Sequence, residues 1–290
     1  MSDVLNELVT LLTLEKIEEN LFRGQSQDLG WGTVYGGQVL GQALSAAAQT
    51  VPEDRYVHSL HSYFLRPGDV NRPIVYDVDR IRDGGSFTTR RVVAIQKGRP
   101  IFNLSASFQI EEPGFDHQDE APDVPKPSEL KTDQQRMAEY ADRLPQLLRK
   151  QASAERPFEM RAVDPIDNPF APDEYPPCSR HWMKANGKLD DKPSLHRFLL
   201  AYVSDFNFLT TSLRPHGATW LTPGMQVASV DHAMWFHRPV RVDEWLLHCV
   251  QSPSASGPRC FVYGHIYDKD GTLVASTSQE GLIRERTPGS

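Results

Sequence analysis

An internal repeat constrains the fold of this chain of 290 residues more than any other feature. The string HSYFLRP at residues 61–67 resembles HAMWFHRP at residues 232–239, with one residue inserted. Gly98 lies 31 positions after the proline that ends the first string, and Gly271 lies 32 positions after the proline that ends the second. Each glycine stands in a turn before a strand-like stretch. Three similarities in the same order predict two copies of one structural unit.

Each copy begins with an apolar helical segment and continues in strands. Residues 37–50 contain no acidic or basic side chain, which is typical of a buried helix. Residues 194–208 are similarly apolar but include Asp205. In residues 87–95, every second residue from Phe87 to Ile95 would lie on one face of a strand. This alternation predicts a half-buried strand. A buried helix wrapped by an antiparallel sheet, occurring twice in units of roughly 110 residues, predicts an α+β fold.

The same pattern divides the chain into three parts. Residues 1–112 are predicted to form the first unit, preceded within that range by an amphipathic helix. Residues 113–155 are predicted to form a proline-rich linker with a helical spacer at residues 132–151, which Pro145 interrupts. Residues 156–290 are predicted to form the second unit, which carries the candidate catalytic residues.

The N-terminal segment has the spacing of an amphipathic helix. Ser2 or Asp3 is available to accept hydrogen bonds from the unpaired amides at its start. Its apolar face is predicted to consist of Leu5, Leu8, Val9 and Leu12. No apolar run in the chain approaches the roughly 18 residues of a membrane span, so we expect no such span.

Charge and cysteine content restrict the partners and the compartment. Lys and Arg number 31 against 38 Asp and Glu, which gives a net charge of −7 and makes nucleic acid an unfavourable partner. The three cysteines, Cys178, Cys249 and Cys260, are too few and odd in number for a disulfide framework. Free thiols in a reducing compartment are expected, and the cytoplasm is the predicted location.

Most motifs that carry chemistry are missing from the sequence. It contains no Gly-x-Ser-x-Gly elbow, no phosphate-binding P-loop and no His-Glu-x-x-His pair. His58 and His61 point to opposite faces of a predicted strand and cannot hold a metal jointly. Gly37 and Gly41 are interpreted as small residues at a close backbone contact. The amides at the start of that helix are also free to polarise a carbonyl group.

Asp205 is the conspicuous polar residue of the second apolar segment. Moving a carboxylate into an apolar environment costs several kcal/mol unless hydrogen bonds compensate. A carboxylate at an exposed helix end is the simplest explanation. However, the first helix of the repeat has no acid at all, so the fold itself does not require one there.

Several long strings resemble the acyl-CoA thioesterase II family of the bacterial TesB type. They include FRGQS at residues 22–26, GGQ at residues 36–38, HSLHSYFLRPGD at residues 58–69 and DHAMWFHRP at residues 231–239. The resemblance extends over nearly the whole chain. It implies a double hotdog fold and hydrolysis of fatty acyl-CoA to free acid and coenzyme A, with no metal and no organic cofactor. It also implies a homo-oligomer.

The resemblance also implies the catalytic residues. The family's Asp, Thr or Ser, and Gln, which hold the attacking water, correspond to Asp205, Ser229 and Gln279. Bacterial relatives have Thr at position 229, and the hydroxyl group is retained here. A thioester has a good leaving group, so an oriented and partly deprotonated water suffices without a covalent intermediate. Because the first helix has no acid, we expect one site per chain, with Gln109 a structural equivalent of Gln279.

Two other functions remain open at this stage. A hotdog enoyl-CoA hydratase or dehydratase would use a histidine with an acid, and His58 or His232 is available for that role. A non-catalytic acyl-CoA sensor would keep the binding tunnel without the residues that hold water. For the phosphates of the coenzyme, the candidate side chains are Arg66, Arg90, Arg91 and Arg238.

Overall fold

The computed structural model describes residues 2–144, 149 and 154–286. Its helices are α1 (Asp3–Leu12), α2 (Gly36–Ala48), α3 (Asp133–Ala138) and α4 (Pro193–Ser204). Its strands are β1 (Glu15–Glu18), β2 (Leu21–Gly24), β3 (Arg55–Phe64), β4 (Ile74–Asp83), β5 (Phe87–Gln96), β6 (Arg99–Ile110), β7 (Phe158–Ala162), β8 (Cys178–Ala185), β9 (Met225–Ser229), β10 (Asp231–Phe236), β11 (Leu246–Ser256), β12 (Arg259–Asp268) and β13 (Leu273–Glu285). Short 3₁₀ stretches cover Pro127–Glu129, Ala141–Arg143 and Leu209–His216.

The described strands join one antiparallel sheet of 13 strands. Its order is β1-β2-β4-β5-β6-β3-β10-β13-β12-β11-β8-β7, and β9 pairs with β13 outside that path. The two halves of the repeat meet where β3 pairs with β10, with His61 opposite Ala233 and Tyr63 opposite Asp231. The predicted α+β arrangement, in which antiparallel strands surround buried helices, is confirmed.

Helices α2 and α4 pack against each other in the centre, and glycines set their distance. A β-carbon on Gly37 would lie 2.1 Å from the carbonyl oxygen of Tyr202, and one on Gly41 would lie 3.1 Å from that of Phe198. Tyr35, at the start of α2, donates a hydrogen bond of 3.0 Å to the same Tyr202 oxygen. The predicted close backbone contact at the two glycines is confirmed.

The second helix ends earlier than the sequence pattern predicts. A helix over residues 194–208 was expected, but α4 stops at Ser204 and Asp205 is its C-cap. The physical reason lies at Asn207, whose φ of 58° is left-handed and cannot continue an α-helix. The chain then enters the 3₁₀ stretch Leu209–His216, which packs on the strands of the second half.

The hairpin turns fix which residues of the two halves correspond. Gly98 and Gly271 both have positive φ, of 69° and 85°, in the β5–β6 and β12–β13 turns. Ala106 and Gln279 each lie eight positions beyond their turn glycine. Ala106 is therefore the counterpart of Gln279, and the expectation that Gln109 has this place is wrong, because Gln109 lies three residues further along its strand.

The register also identifies the neighbours of this pair. Leu60 pairs with Ala106 across β3 and β6. In the second half Met234 pairs with Thr277, so the same register continued by two residues places His232 opposite Gln279. The second half thus has His232 opposite Gln279, and at the equivalent positions the first half has two aliphatic residues, Leu60 and Ala106.

Burial alternates along β5 as predicted, and the buried residues are Thr88 and every second residue after it. This set includes Arg90, which pairs with Ala106 in the sheet just as Val262 pairs with Gln279. The Arg90 side chain is fully buried and donates to the Thr50 hydroxyl and carbonyl oxygens at 2.8 and 2.9 Å. Arg90, buried and hydrogen-bonded, is therefore the first-half counterpart of Val262, the strand neighbour of Gln279.

The N-terminal and linker segments agree with the pattern in part. In α1, Leu5, Leu8 and Leu12 are buried and the Ser2 hydroxyl accepts from the Leu5 amide at 3.4 Å, as predicted. Of the predicted spacer at residues 132–151, residues 132–144 form only the short helix α3 and a 3₁₀ turn. Pro145 lies outside the described residues, and the division at residues 112 and 155 stays a prediction. Among the described residues no helix is long and apolar enough to cross a membrane.

Candidate active site

A cavity of about 1140 Å³ opens beside the junction of α2 and α4. Its lining comes from the first half, including Gly36 and Phe64, from the second half, including Asp205 and Ser229, and from the linker, including Tyr140. The lining is mostly apolar. Such a cavity, with a few converging polar groups, is the usual form of a small-molecule site.

The end of α4 positions the Asp205 carboxylate at this cavity. The side chain is only 5% exposed, although it follows the last turn of the helix. The C-terminal end of a helix carries partial negative charge, so α4 by itself disfavours a carboxylate there. The start of α2 compensates, because a β-carbon on Gly36 would lie 2.6 Å from Asp205 Oδ2. The carboxylate thus lies beside the first residue of α2, at the positive end of that helix.

The three residues predicted to be catalytic come together around one carboxylate oxygen. Gln279 Nε2 donates to Asp205 Oδ1 at 2.9 Å, and the Ser229 hydroxyl donates to the same oxygen at 3.4 Å. Gln279 is 1% exposed, and its Oε1 atom has no hydrogen-bond partner among the described residues. Strands β9 and β13 hold the two partners side by side, since Ser229 pairs with Gly281.

His232 is the residue that sequence reasoning did not place in this cluster. It is fully buried, with Nδ1 3.9 Å from Asp205 Oδ1 and Nε2 3.1 Å from the Ser204 hydroxyl. Burial lowers the pKa of His232, although the nearby Asp205 acts in the opposite direction, so the ring is neutral near pH 7. No sequence signal finds it, because the repeated strings align His232 with His61, and only the strand register makes the aliphatic Leu60 its counterpart.

Tyr35 closes the cluster on the side of α2. Burial, and next the charge of Asp205, raise the pKa of Tyr35 well above its usual range. Its hydroxyl group therefore stays protonated and donates to the Tyr202 carbonyl oxygen. Its role here is to join α2 to α4, not to transfer protons.

Other groups that sequence reasoning considered lie outside this cluster. His58 contacts the Ser107 hydroxyl at 2.8 Å and packs against Phe87. Burial raises the pKa of Cys249 to about 12 and also raises the pKa of Cys260, which makes both thiols poor nucleophiles. In the described ranges, no three His, Cys, Asp or Glu side chains are grouped so that they could hold a metal.

Of the four arginines considered for the coenzyme, only Arg66 lines the cavity. Arg90 is buried in the first half. Arg91 lies on the outer face of β5 and pairs with Asp79 at 2.9 Å. Arg238 is bonded to the Leu273 carbonyl oxygen and to Asp116.

Comparison with known families finds two models that match this chain. The family described as acyl-CoA thioesterase matches residues 147–282, and the acyl-CoA thioesterase N-terminal domain matches residues 26–109. Acyl-CoA thioesterase 2 of Haemophilus influenzae is 46% identical over 98% of this chain and 99% of its own length. Acyl-coenzyme A thioesterase 8 of Homo sapiens is 40% identical over 96% of this chain and 88% of its own.

Solved structures agree with the fold. Acyl-CoA thioesterase II TesB2 from Mycobacterium marinum superposes with a TM-score of 0.79 at 38% identity, over 97% of this chain and 99% of that one. A protein with a hot dog fold from Alicyclobacillus acidocaldarius gives a TM-score of 0.76 at 19% identity, over 97% and 99% of the two chains. At 19% identity, this second comparison shows similarity of fold alone. The predicted hotdog fold and the predicted family resemblance are both confirmed.

Proposed function

This chain belongs to the acyl-CoA thioesterase family, and we propose that it hydrolyses fatty acyl-CoA to a free fatty acid and coenzyme A by direct attack of water. Asp205, Ser229 and Gln279 hold that water. The single observation that carries this proposal is the convergence of Gln279 and Ser229 on Oδ1 of Asp205, from three separate elements of the second half.

The polar atoms of the cluster suit a water nucleophile. The Asp205 carboxylate accepts the proton that the water loses as the water oxygen bonds to the carbonyl carbon. Gln279 Oε1, which has no partner among the described residues, accepts the second hydrogen of the water. The carbon–sulfur bond then breaks, and the thiolate of coenzyme A leaves and takes up a proton. General-base assistance of this kind contributes about 10²- to 10⁴-fold in rate.

The start of α2 supplies the complementary group. The amides of the first helical turn lack partners within the helix, and Gly36, the first residue of that turn, lies beside the Asp205 carboxylate. A thioester carbonyl bound between the water and this helix end would direct its developing negative charge at these amides. The first half of the chain thus contributes to a site whose base lies in the second half.

The apolar part of the cavity suits an acyl chain. Met137 from the linker, Ile166 from the segment after β7 and Val227 from β9 contribute to its lining. Burying apolar surface is favourable by about 25 cal/mol per Å², so a hydrocarbon chain gains affinity along such a wall. This supports a fatty acyl substrate.

The two alternatives fit the site less well. A hydratase needs a histidine nitrogen that is directed at the substrate, whereas His232 Nε2 contacts the Ser204 hydroxyl and His58 Nε2 contacts the Ser107 hydroxyl. A non-catalytic sensor has no need of an acid, a hydroxyl and an amide around one point. The cytoplasmic location and a homo-oligomeric state stay predictions.

One experiment separates the three functions. The protein is incubated with a saturated acyl-CoA and with the 2-enoyl-CoA of the same length, and free thiol and enoyl absorbance are followed together. Thiol release from the saturated substrate is the expected result. Loss of enoyl absorbance without thiol release would identify a hydratase, and tight binding with neither change would identify a sensor.

A further inference from the structure

One arginine of the cavity lining makes neither a hydrogen bond nor an ion pair with the described residues. The described lining contains Arg66, Arg136, Arg156 and Arg214. Three of them donate to backbone carbonyl oxygens, namely Arg66 to Pro100, Arg136 to Ile166 and Arg214 to Asp164. The guanidinium of Arg156 makes no hydrogen bond or ion pair with the described residues, and its contact is with the Phe206 ring, 5.5 Å away.

The surroundings of Arg156 leave its charge poorly compensated. Burial lowers the pKa of Arg156, and the opposing influence of Asp133 comes from a carboxylate that forms no salt bridge with it. A guanidinium that is partly removed from water gains strongly from an anion that accepts two parallel hydrogen bonds. An anionic group of a bound substrate would therefore be stabilised beside Arg156.

The position of Arg156 relative to the catalytic cluster indicates which group this is. Phe206 directly follows Asp205, so Arg156 contacts the immediate neighbour of the base. Trp31, which packs on the same ring at 6.4 Å, is 49% exposed. Phe206 thus contacts both Arg156 and a half-exposed ring, which indicates that this side of the reacting centre is open to solvent, where the coenzyme part of a bound thioester would extend.

We propose that Arg156 binds the phosphate groups of the coenzyme, an inference that rests on the proposed function. A carboxylate at the far end of the acyl group offers the same chemistry. Hydrogen bonds to charged groups contribute about 1.5–3 kcal/mol. Loss of the guanidinium should therefore raise KM for an acyl-CoA about 10- to 100-fold.

The test compares Arg156→Gln and Arg156→Lys with Arg91→Gln, an exposed arginine on the outer face of β5. Each is assayed with octanoyl-CoA, octanoyl-pantetheine and suberoyl-CoA. We expect Arg156→Gln to raise KM for octanoyl-CoA while octanoyl-pantetheine, which has no phosphate, is unaffected, and Arg156→Lys to recover part of the loss. A loss confined to suberoyl-CoA would overturn the phosphate assignment in favour of the distal carboxylate. Equal changes with all three substrates would overturn anion binding altogether.

Binding of coenzyme A provides a readout that does not depend on hydrolysis. Isothermal titration of free coenzyme A should show a Kd for Arg156→Gln that is about tenfold or more weaker than for the unaltered protein. If the protein hydrolyses no thioester but this difference persists, the proposed function fails and the Arg156 assignment stands. Identical Kd values would overturn the assignment even in an active enzyme.

A separate observation concerns the buried histidine behind the carboxylate. The Ser204 hydroxyl lies 3.0 Å from the Ala201 carbonyl oxygen and 3.1 Å from His232 Nε2, and it has one hydrogen to donate. If Nδ1 carried no hydrogen, its lone pair would face Asp205 Oδ1 inside the protein, which is repulsive. The tautomer with hydrogen on Nδ1 removes that repulsion, and the Ser204 hydroxyl then donates to Nε2 in place of the Ala201 carbonyl oxygen.

We infer that His232 is a positioning residue whose Nδ1–H holds Asp205 Oδ1 toward Gln279 and Ser229. At 3.9 Å the attraction is between a charge and a dipole, since a direct hydrogen bond requires a shorter distance. The groups that face Asp205 from the packed elements are Tyr35, Ser229, Gln279 and His232. Of these, Tyr35 stays protonated because its pKa is raised, and His232 stays neutral because its pKa is lowered.

Two nearly isosteric replacements test the role. Asn and Leu have the same branching, but only Asn carries an N–H in the place of Nδ1. Leu is also the residue that the first half has at the equivalent position, Leu60. We expect His232→Leu to lower kcat about tenfold with little change in KM, and to move the acid side of the pH–rate profile to higher pH. His232→Asn should recover most of kcat. His232→Gln, which lacks the donor at this place, should behave like Leu if Leu does not fold.

The tautomer can be measured without any assay of activity. Nitrogen-15 NMR of labelled histidine distinguishes hydrogen on Nδ1 from hydrogen on Nε2, and we expect the former at His232. Equal kcat in the Asn and Leu variants, or an Nε2–H tautomer, would overturn the role. Because this inference also rests on the proposed function, an inactive protein with the Nδ1–H tautomer would refute hydrolysis and leave the orientation of His232 intact.

Discussion

The backbone of Gly36 touches the carboxylate of Asp205: a β-carbon on residue 36 would lie 2.6 Å from Oδ2. The two residues belong to different halves of the repeat. The contact is therefore the point where the first half, which has no acid in its helix, becomes part of the site in the second half. It needs a residue without a side chain, because closer than about 3 Å no β-carbon fits.

Gly36→Ala should impair catalysis more than folding. The added methyl group would also lie 3.0 Å from the Phe64 ring, so the carboxylate, which ends a flexible side chain, is the group that moves. A displacement of this size in a catalytic base costs about 10²-fold in rate. We expect kcat to fall by about that factor while the melting temperature changes by a few degrees. Gly114→Ala is the control, since a β-carbon there meets nothing within 4 Å.

Asp205→Asn should lower kcat by at least about 10²-fold and change KM little, because the amide keeps the shape but cannot accept a proton from water. The melting temperature should stay the same or rise, since α4 disfavours a buried carboxylate at its C-terminal end. Steady-state kinetics and thermal unfolding check both. Near-normal hydrolysis with a marked loss of stability would make Asp205 a structural carboxylate.

Ser229 provides the matched pair for the same cluster. Ser229→Thr keeps the hydroxyl that donates to Asp205 Oδ1 and should retain most of kcat, whereas Ser229→Ala should lose much of it. If alanine and threonine gave equal rates, the hydroxyl group would have no part in holding the water.

The sequence predicted the repeat, both central helices and the three residues that meet at Asp205 Oδ1, because each rests on composition or on a long matching string. It did not predict the correspondence between the halves at single-residue resolution. Gln109 and Gln279 share a residue type, but the turn glycines make Ala106 the counterpart. Register depends on hydrogen bonding between strands, which similarity of residues cannot fix.

Two further features needed the three-dimensional structure. The end of α4 depends on the left-handed conformation of Asn207, which any of several residues near the end of an apolar run can adopt. The role of His232 follows only from its distance to Asp205, since in the sequence it is one histidine of ten. Likewise, only the structure shows that the Arg156 guanidinium makes no hydrogen bond with the described residues while the other lining arginines do.

One site per chain predicts an asymmetric response of the two halves. Gln279→Ala should lower kcat by about 10-fold or more, since it removes the donor to Asp205 and the free Oε1 atom. Gln109→Ala should leave kcat within about twofold, because the Gln109 amide is bonded only to the exposed Glu112. Both variants are assayed as folded protein of the same concentration. Comparable losses would indicate a second site in the first half.

The buried histidines beside the cluster predict how stability depends on pH. Burial, followed by the neighbouring histidines, lowers the pKa of His248 to about 3. In the unfolded chain a histidine takes up its proton near pH 6.5. Between these values the unfolded state binds more protons than the folded state, so the stabilising contribution is complete above pH 6.5 and is lost as pH falls toward 3. Each unit in that window costs about 1.4 kcal/mol for such a histidine.

His248→Gln isolates this contribution, because glutamine does not titrate and can still bond the Thr277 hydroxyl, which His248 Nε2 contacts at 3.2 Å. Urea unfolding at pH 7, 6, 5 and 4.5 should show the free energy of unfolding falling more steeply with acidity in the unaltered protein than in the variant. The difference in slope should approach about 1.4 kcal/mol per pH unit below pH 6. His117→Gln, at an exposed histidine of the linker, should reproduce the slope of the unaltered protein. Parallel slopes for all three proteins would mean that His248 takes up its proton in the folded state as readily as in the unfolded chain, and that the interior around the cluster admits water.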